Sequence, residues 1–512
     1  MAGHGDGEHG RRPDGNTETE PLLPPDDSRR DNTATSLPSS EPSHQTCCTW
    51  PWIYVVLGCI AIAIVAEIGE YLYTAPRVRL FESVSCTQYY LEHDPSKVLP
   101  DGSVPESLCK IDQIQDEVAS VLGWQLFFDS IPAMVLPLPF GYLADKYGRK
   151  WILFAAMAGY TLKMASTLFI IGGLHLPLKY VWLSSLCHLI GGGEVLATLM
   201  VTTIVADVVP SKLRSTVFFY RFCAELISEC FVPPFTYLLM KRNVWTPLIV
   251  AVAFQALATI MTLFVPETLP VEIDSSDRTS TLSVPSSADG KKTRLQQIKE
   301  SFVFVTRDKA VGALVFTFLV SKVGRQSSNV LFQYVSKRYG WDIAQAGLLL
   351  SLRAGVNIIL FTVILPLIIN YALAKTHIAI RDLWIGKASI VLMTVGVFII
   401  SSSATSAFMI VGLIVYTLGT GFPPIIRSLV TFLVDSHHDS QTSDIARLYA
   451  LISVAEGMGS LIAGPGMAWS FRWGMDLGGS WIGLPYLFAT MLFATALVTV
   501  FSVRVRVDIR VD

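Results

Sequence analysis

The sequence predicts an all-α membrane protein with twelve transmembrane helices in two related six-helix halves. Three observations predict it. Of 512 residues, 51% are hydrophobic and only 16% charged, where a soluble domain carries roughly 25% charged residues. The apolar residues collect into runs that mostly reach the twenty or so needed to cross the hydrocarbon. One long polar stretch, 266–308, divides those runs six and six. The net charge of −2 averages over very unequal zones, and no basic groove with interleaved aromatics marks a nucleic-acid binder.

Residues 1–50 are rich in Pro, Ser, Asp and Arg and too poor in apolar residues to bury a core, so they form a disordered tail. No apolar leader precedes Trp52, and the first span is expected to act as its own insertion signal. In that tail Glu18-Thr-Glu-Pro-Leu-Leu23 has the spacing of an acidic dileucine sorting signal or matches it by chance, and Cys47 and Cys48 lie where palmitoylation occurs. Spans are expected at 52–75, 117–140, 151–173, 180–205, 216–239 and 244–265, making an N-terminal bundle over 51–265. After the linker 266–308 come 310–335, 343–370, 383–402, 406–434, 445–470 and 481–503, a C-terminal bundle over 309–505 with a short tail at 506–512.

With both termini in the cytoplasm, more than half of the 39 Lys and Arg fall on that side. The loop 76–116 is then external and acidic, with Glu82, Glu92, Asp94 and Asp101. It holds Cys86 and Cys109, the only two of eight cysteines placed in an external loop, and a disulfide between them is expected. The halves also carry traces of duplication. Glu225 stands nine residues before Pro234 and Glu456 nine before Pro465, while Ile204-Val-Ala-Asp207 is matched by Phe432-Leu-Val-Asp435. Internal repeats of this kind mark transporters whose site lies between two related bundles.

The most informative ten residues are Gly141-Tyr-Leu-Ala-Asp-Lys-Tyr-Gly-Arg-Lys150, between the second and third spans. Gly141 and Gly148 let the chain turn and neighbouring helices approach. Asp145 is placed to accept hydrogen bonds from a facing helix N-terminus, and Lys146, Arg149 and Lys150 hold the loop in the cytoplasm. The stretch resembles the gating loop of the major facilitator superfamily, with every defining position of G-x-L-a-D-[RK]-x-G-[RK]-[RK] filled, and Pro266-Glu-Thr-Leu-Pro270 is similar to a sequence common there after the sixth span. The resemblance implies that spans one, four, seven and ten line a central cavity, with five packed near eight and two near eleven.

A finer resemblance, to fungal members distantly similar to the proton-coupled folate and haem carriers, rests on Gln333-Tyr-Val-Ser-Lys-Arg-Tyr-Gly-Trp341, Gln345-Ala-Gly and Pro210-Ser-Lys-Leu-Arg-Ser215. It implies a proton-coupled glutamate in span five, where Glu225 and Glu229 stand. Span five lacks the G-P-x-x-G-G pattern of drug–proton antiporters, and only Gly459-Ser-Leu-Ile-Ala-Gly464-Pro465 in span eleven is similar to it.

Charges inside spans cost on the order of 2.5–3.5 kcal/mol facing lipid, so they are expected to face a cavity or one another. The first half carries Glu67 and Glu70, Asp129 and Glu194; corresponding spans of the second half carry Lys322 and Arg325, Arg353 and Arg427. With the spans arranged as the resemblance implies, Glu67 and Glu70 are expected opposite Lys322 and Arg325, Glu194 opposite Arg427, and Arg353 near Glu225 and Glu229. Arg221, Glu225 and Glu229 are four apart on one helical face, which makes an internal salt bridge the alternative. Two readings stay open: fixed ion pairs that lock the bundles in register, or a carboxylate that exchanges a proton as its burial and its distance from an arginine change. Glu225 and Glu229 are the first candidates for that exchange and Glu194 the third, with Arg325, Arg353 and Arg427 as partners of these acids or of an anionic substrate. Gly191-Gly-Gly193, Pro233-Pro234 and Gly419-Thr-Gly-Phe-Pro-Pro424 are expected to break or pack their spans closely.

Neither His188 nor the pair His437-His438 has a partner at zinc spacing, so no metal is expected. No G-x-x-x-x-G-K-[ST] loop occurs, and neither ATP nor a cofactor is expected to power the cycle. The sequence predicts a monomeric secondary transporter of the plasma membrane, in preference to the vacuolar one. It is expected to move a small organic molecule by alternating access with protons, and export of a fungal metabolite is the first reading. Proton-driven uptake of an organic anion or cofactor-like solute is the second. A solute sensor that carries nothing is the third, disfavoured by the short tail and linker.

Overall fold

In a computed structural model, the chain is described over residues 52–100, 102–268, 309–372, 378–435 and 442–503. The expected tails, the dileucine and Cys47-Cys48 features, most of the linker and His437-His438 lie outside these residues. All regular structure among the described residues is helical. Among the described residues eleven helices are long and apolar enough to cross a membrane. The remaining predicted span, the seventh, is built of Lys309–Arg325, a 3-10 segment Gln326–Val330 and Leu331–Tyr339. Its break falls at Gln326-Ser-Ser-Asn329, where Ser and Asn side chains compete for backbone hydrogen bonds.

Packing overrides several expected boundaries. The first span runs from Trp52 to His93, 18 residues past its predicted end, straight through Pro76. The extension is held because Val78, Leu80, Phe81 and Cys86 are buried. The fifth span, Ser211–Met240, likewise continues through Pro233 and Pro234. The fourth does break: a 3-10 segment Leu178–Ile190 meets the helix Gly193–Val208 at Gly192 and Gly193, whose φ values are +72° and +66°. A side chain at Gly191 would overlap the backbone of Ala155 and Ala156, so the third span, Arg149–Gly172, packs directly against this break. The tenth is split into Ser406–Leu418 and Phe422–Asp435, as the Gly-Pro run predicts. The eighth, Ile343–Ile359, passes into two wide π-helical turns, Leu360–Ile364 and Ile368–Ala372.

Two seams join the halves. The second span, Asp112–Val135, packs along the eleventh, Thr442–Leu477, and the fifth along the eighth. At the first seam a Cβ on Gly123 would lie 2.7 Å from the carbonyl oxygen of Gly464, so the backbones touch. At the second the rings of Phe222 and Phe361 meet edge to face, 5.2 Å between centroids.

One end of the molecule is capped by the segment after the first span, where Cys86 and Cys109 form a disulfide with Cα atoms 5.3 Å apart. Beneath it, buried Glu82 accepts from Arg79 at 2.8 Å, Lys110 at 2.7 Å and Gln115 at 2.6 Å. Glu106 accepts from Lys110 at 2.9 Å and pairs with Arg79 at 3.0 Å. Burial pushes the Glu106 carboxyl up, but Arg79 and Lys110 outweigh it and its pKa settles below the ordinary carboxylate value. A depressed carboxylate pKa contributes stability above the unfolded value of about 4.3 and loses it as pH falls through the folded one. Glu106→Gln should lower the melting temperature of the purified protein by roughly 2–4 °C at pH 7, and melts over pH 3–7 should show the gap to wild type closing below about pH 4.

Candidate functional site

Charge inside the membrane is concentrated where the halves meet. On the face of the fifth span that packs against the eighth, the Glu229 side chain is only 6% exposed. It accepts from Arg353 of the eighth span, from Nε at 2.9 Å and Nη2 at 2.5 Å. Glu225, one turn away, makes no ion pair among the described residues but stands within electrostatic range of Arg221, Glu229 and Arg353. The internal Arg221–Glu225 salt bridge is not formed.

A second station centres on Glu456 of the eleventh span. Its carboxylate lies 3.2 Å from Arg427 and 3.6 Å from Arg325, drawing together the tenth, eleventh and seventh spans. The expected pairs Glu194 with Arg427, and Glu67 and Glu70 with Lys322 and Arg325, are therefore not made. The physical reason is that most of these charges are neutralised within their own half. In the first half the Tyr160 hydroxyl donates to Glu70, and Asp129 accepts from Lys163 and from Ser185, each at 2.6 Å. Sequence reasoning missed Lys163, although an intramembrane lysine is a signal of the same kind as those it used. His188, 5% exposed, is packed against the Tyr160 ring at 5.9 Å. Among the described residues no group of His, Cys, Asp and Glu is disposed to hold a metal.

Glu67, Glu194 and Glu225 complete the arrangement. Glu67 stands within electrostatic range of Glu70, Glu194, Glu225 and Arg221. Lys322 faces Glu194 from the other half and Glu456 within its own. Glu194 is exposed although charged groups of the first, third, fifth and seventh spans surround it, so it faces a cleft between the halves rather than lipid. Arg427 borders a pocket of about 530 Å³ with Pro424, Ser428, Thr431 and Tyr449. Among the described residues every hydrogen bond and ion pair joining the halves lies at the disulfide end, apart from Glu229–Arg353 deeper in. The halves are tied at that end.

At the end away from the disulfide the 141–150 loop is bracketed. Arg149 pairs with Asp207 at the end of the fourth span and donates to the Thr203 carbonyl at 3.4 Å. Glu267, in the Pro-Glu-Thr-Leu-Pro stretch, accepts from the backbone N–H groups of Arg149 at 2.9 Å and Lys150 at 3.3 Å, and so caps the third span. Asp145, expected to accept from a facing helix N-terminus, is 70% exposed and lies 4.0 Å from Arg149. Gly148 has φ +103°, and a Cβ there would overlap the Glu267 carboxylate. This glycine is required twice, by its conformation and by the cap.

The Major Facilitator Superfamily model matches residues 113–464, from the second span into the eleventh. The chain belongs to that superfamily. Among its relatives, the MFS efflux pump atnC of Emericella nidulans is 38% identical over 86% of each chain. Efflux pump ustT of Aspergillus flavus is 28% identical over 93% of each. Among solved structures, nucleoside transporter NupG matches 88% of this chain and all of its own, with TM-score 0.57 and 15% identity. The human organic anion transporter MFSD10 (TETRAN) does so over the same shares, with TM-score 0.54 and 16% identity. These likenesses show the facilitator fold, and with the family they make the protein a multi-pass transporter and not an enzyme. None of these relatives is a folate or haem carrier by name.

Two measurements probe this facilitator's charged core. A positive-φ glycine of this kind replaced by alanine costs about 1–3 kcal/mol, so Gly148→Ala should lower the melting temperature and speed amide exchange at 149–151. Removing one partner of a buried pair costs about 3–5 kcal/mol, while replacing both with apolar groups is far milder. Thermal melts of Glu229→Ala, Arg353→Met and the Glu229→Leu/Arg353→Met double variant should show the double variant more stable than either single one.

Proposed function

We propose that this protein exports a small organic metabolite in exchange for protons, with Glu229–Arg353 as the coupling element. The observation that carries the reading is a nearly buried carboxylate–guanidinium pair, among the described residues the only ion pair between the halves deep in the membrane. Separating it while both groups are charged leaves two bare ions in a low dielectric; protonating Glu229 removes one of them and lets Arg353 go. Glu229 thus takes up a proton while the disulfide end is open and the pair is parted, and gives it up while the other end is open, where the pair re-forms, so that each turn carries a proton inward as solute leaves. The efflux names of relatives at 38% and 28% identity support outward movement of the solute.

In this reading the disulfide end is external, where thiols oxidise, and the basic 141–150 loop is cytoplasmic. Both termini are then cytoplasmic, the membrane is the plasma membrane, and the structure faces inward. The solute enters a cleft lined by Glu194 and Arg427. Because Arg427 stays 40% exposed at its pocket, uptake of an organic anion is the second reading.

The test is full-length protein in proteoliposomes under an imposed pH gradient, with candidate metabolites and a pH-sensitive dye. Glu229→Gln should lose gradient-driven flux at least tenfold while keeping solute counterflow. Gradient-driven flux retained in Glu229→Gln would remove the coupling role, and binding without flux in wild type would make the protein a sensor.

A further inference from the structure

The eighth span begins without a cap of its own. Asp342 occupies its N-cap position with extended backbone, φ −64° and ψ 145°, yet its side chain makes no bond to the helix. The first N–H groups of a helix lack intrahelical acceptors, and a buried one left unmet is costly. Buried Ile343 instead donates its N–H to Glu106 at 2.9 Å, a residue 237 positions earlier and in the other half.

Glu106 belongs to the short 3-10 helix Glu106–Lys110, which the Cys86–Cys109 disulfide and Arg79 tie to the first span. Around this contact Lys337 of the seventh span reaches Asp112 at 2.7 Å and the Lys110 carbonyl, and Gln333 reaches the Gln115 carbonyl at 3.5 Å. Arg472 of the eleventh span stands 3.5 Å from Asp116. The charged groups facing the Glu106 carboxylate are Arg79 and Lys110, with Glu82 behind them.

We propose that the N-terminus of the eighth span exchanges caps during the cycle: Glu106 holds it while the disulfide end is closed, and Asp342 takes it when that end opens. Parting the halves carries Glu106 away with the first span, because the disulfide makes its helix travel with that half. The Ile343 N–H then turns to water, while an aspartate already in N-cap position and backbone conformation needs only a side-chain rotation to accept from the next N–H groups, those of Ala344 and Gln345. Opening replaces one charge-assisted cap with another. The inference rests on the alternating-access reading above.

Hydrogen–deuterium exchange of the full-length protein in lipid nanodiscs, without solute, tests it on peptides covering 106–116, 331–339 and 341–350. Glu106→Gln should speed exchange in all three at least tenfold, because the closed end loses its cap. Asp342→Ala should slow exchange in the same peptides severalfold, because the open end loses its cap. If Asp342→Ala leaves exchange unchanged or speeds it, or if Glu106→Gln has no effect, the cap exchange is wrong. The readout needs no transported solute, so a failure here leaves the transport reading standing, and an absence of flux leaves the exchange result standing.

Discussion

The constraint on which this structure depends is the cost of an unpaired charge in a hydrocarbon slab. Every acid and base inside the spans must find a partner, a hydroxyl or water, and the way they do so divides the molecule. Asp129 takes Lys163 and Ser185, Glu70 takes Tyr160, and Glu456 takes Arg325 and Arg427, each within one half. Self-sufficiency of this kind lets each half behave as a body that can shift without exposing bare ions. Glu67, Glu194, Glu225, Lys322 and Arg221 make no ion pair among the described residues and stand within electrostatic range of one another or of charges in the other half.

Against that background the Glu229–Arg353 pair has a distinct standing. It belongs to neither half, and relative motion of the fifth and eighth spans must either preserve it or neutralise it. The seams beside it show how the halves can be close and still separable: Gly123 meets Gly464 backbone to backbone, and Phe222 meets Phe361. Contacts of small residues and rings carry little polar penalty when they slide. The polar ties collect instead at the disulfide end, where water can satisfy the groups that part.

Much of this was legible in the linear chain because the bilayer imposes its rules locally. Length and hydropathy place the spans, and the glycine-basic pattern of 141–150 identifies the loop. Boundaries were less legible where packing overrode a local signal, as at Pro76 and at Pro233-Pro234, through which the helices continue because their flanks are buried or already helical. Asp145 was the acid of this loop expected to accept from a helix N-terminus, but it is Glu267 that caps the third span. Nothing in a one-dimensional pattern brings residues 118 positions apart together.

The chain by itself determined that there are two runs of six spans and which charges must be sheltered, because these follow from hydrophobic length and the penalty on buried charge; that Glu225 or Glu229 would lie near Arg353 came from the resemblance of its motifs to a family in which the fifth span packs near the eighth. Only the tertiary structure decided which acid meets which base: that Glu229 rather than Glu225 takes Arg353, that Glu456 rather than Glu194 takes Arg427, and that Glu106 caps a helix of the other half. The physical reason is that pairing is settled at the scale of ångströms by helix rotation and tilt, which the crossing of twelve packed helices fixes collectively and no single segment encodes.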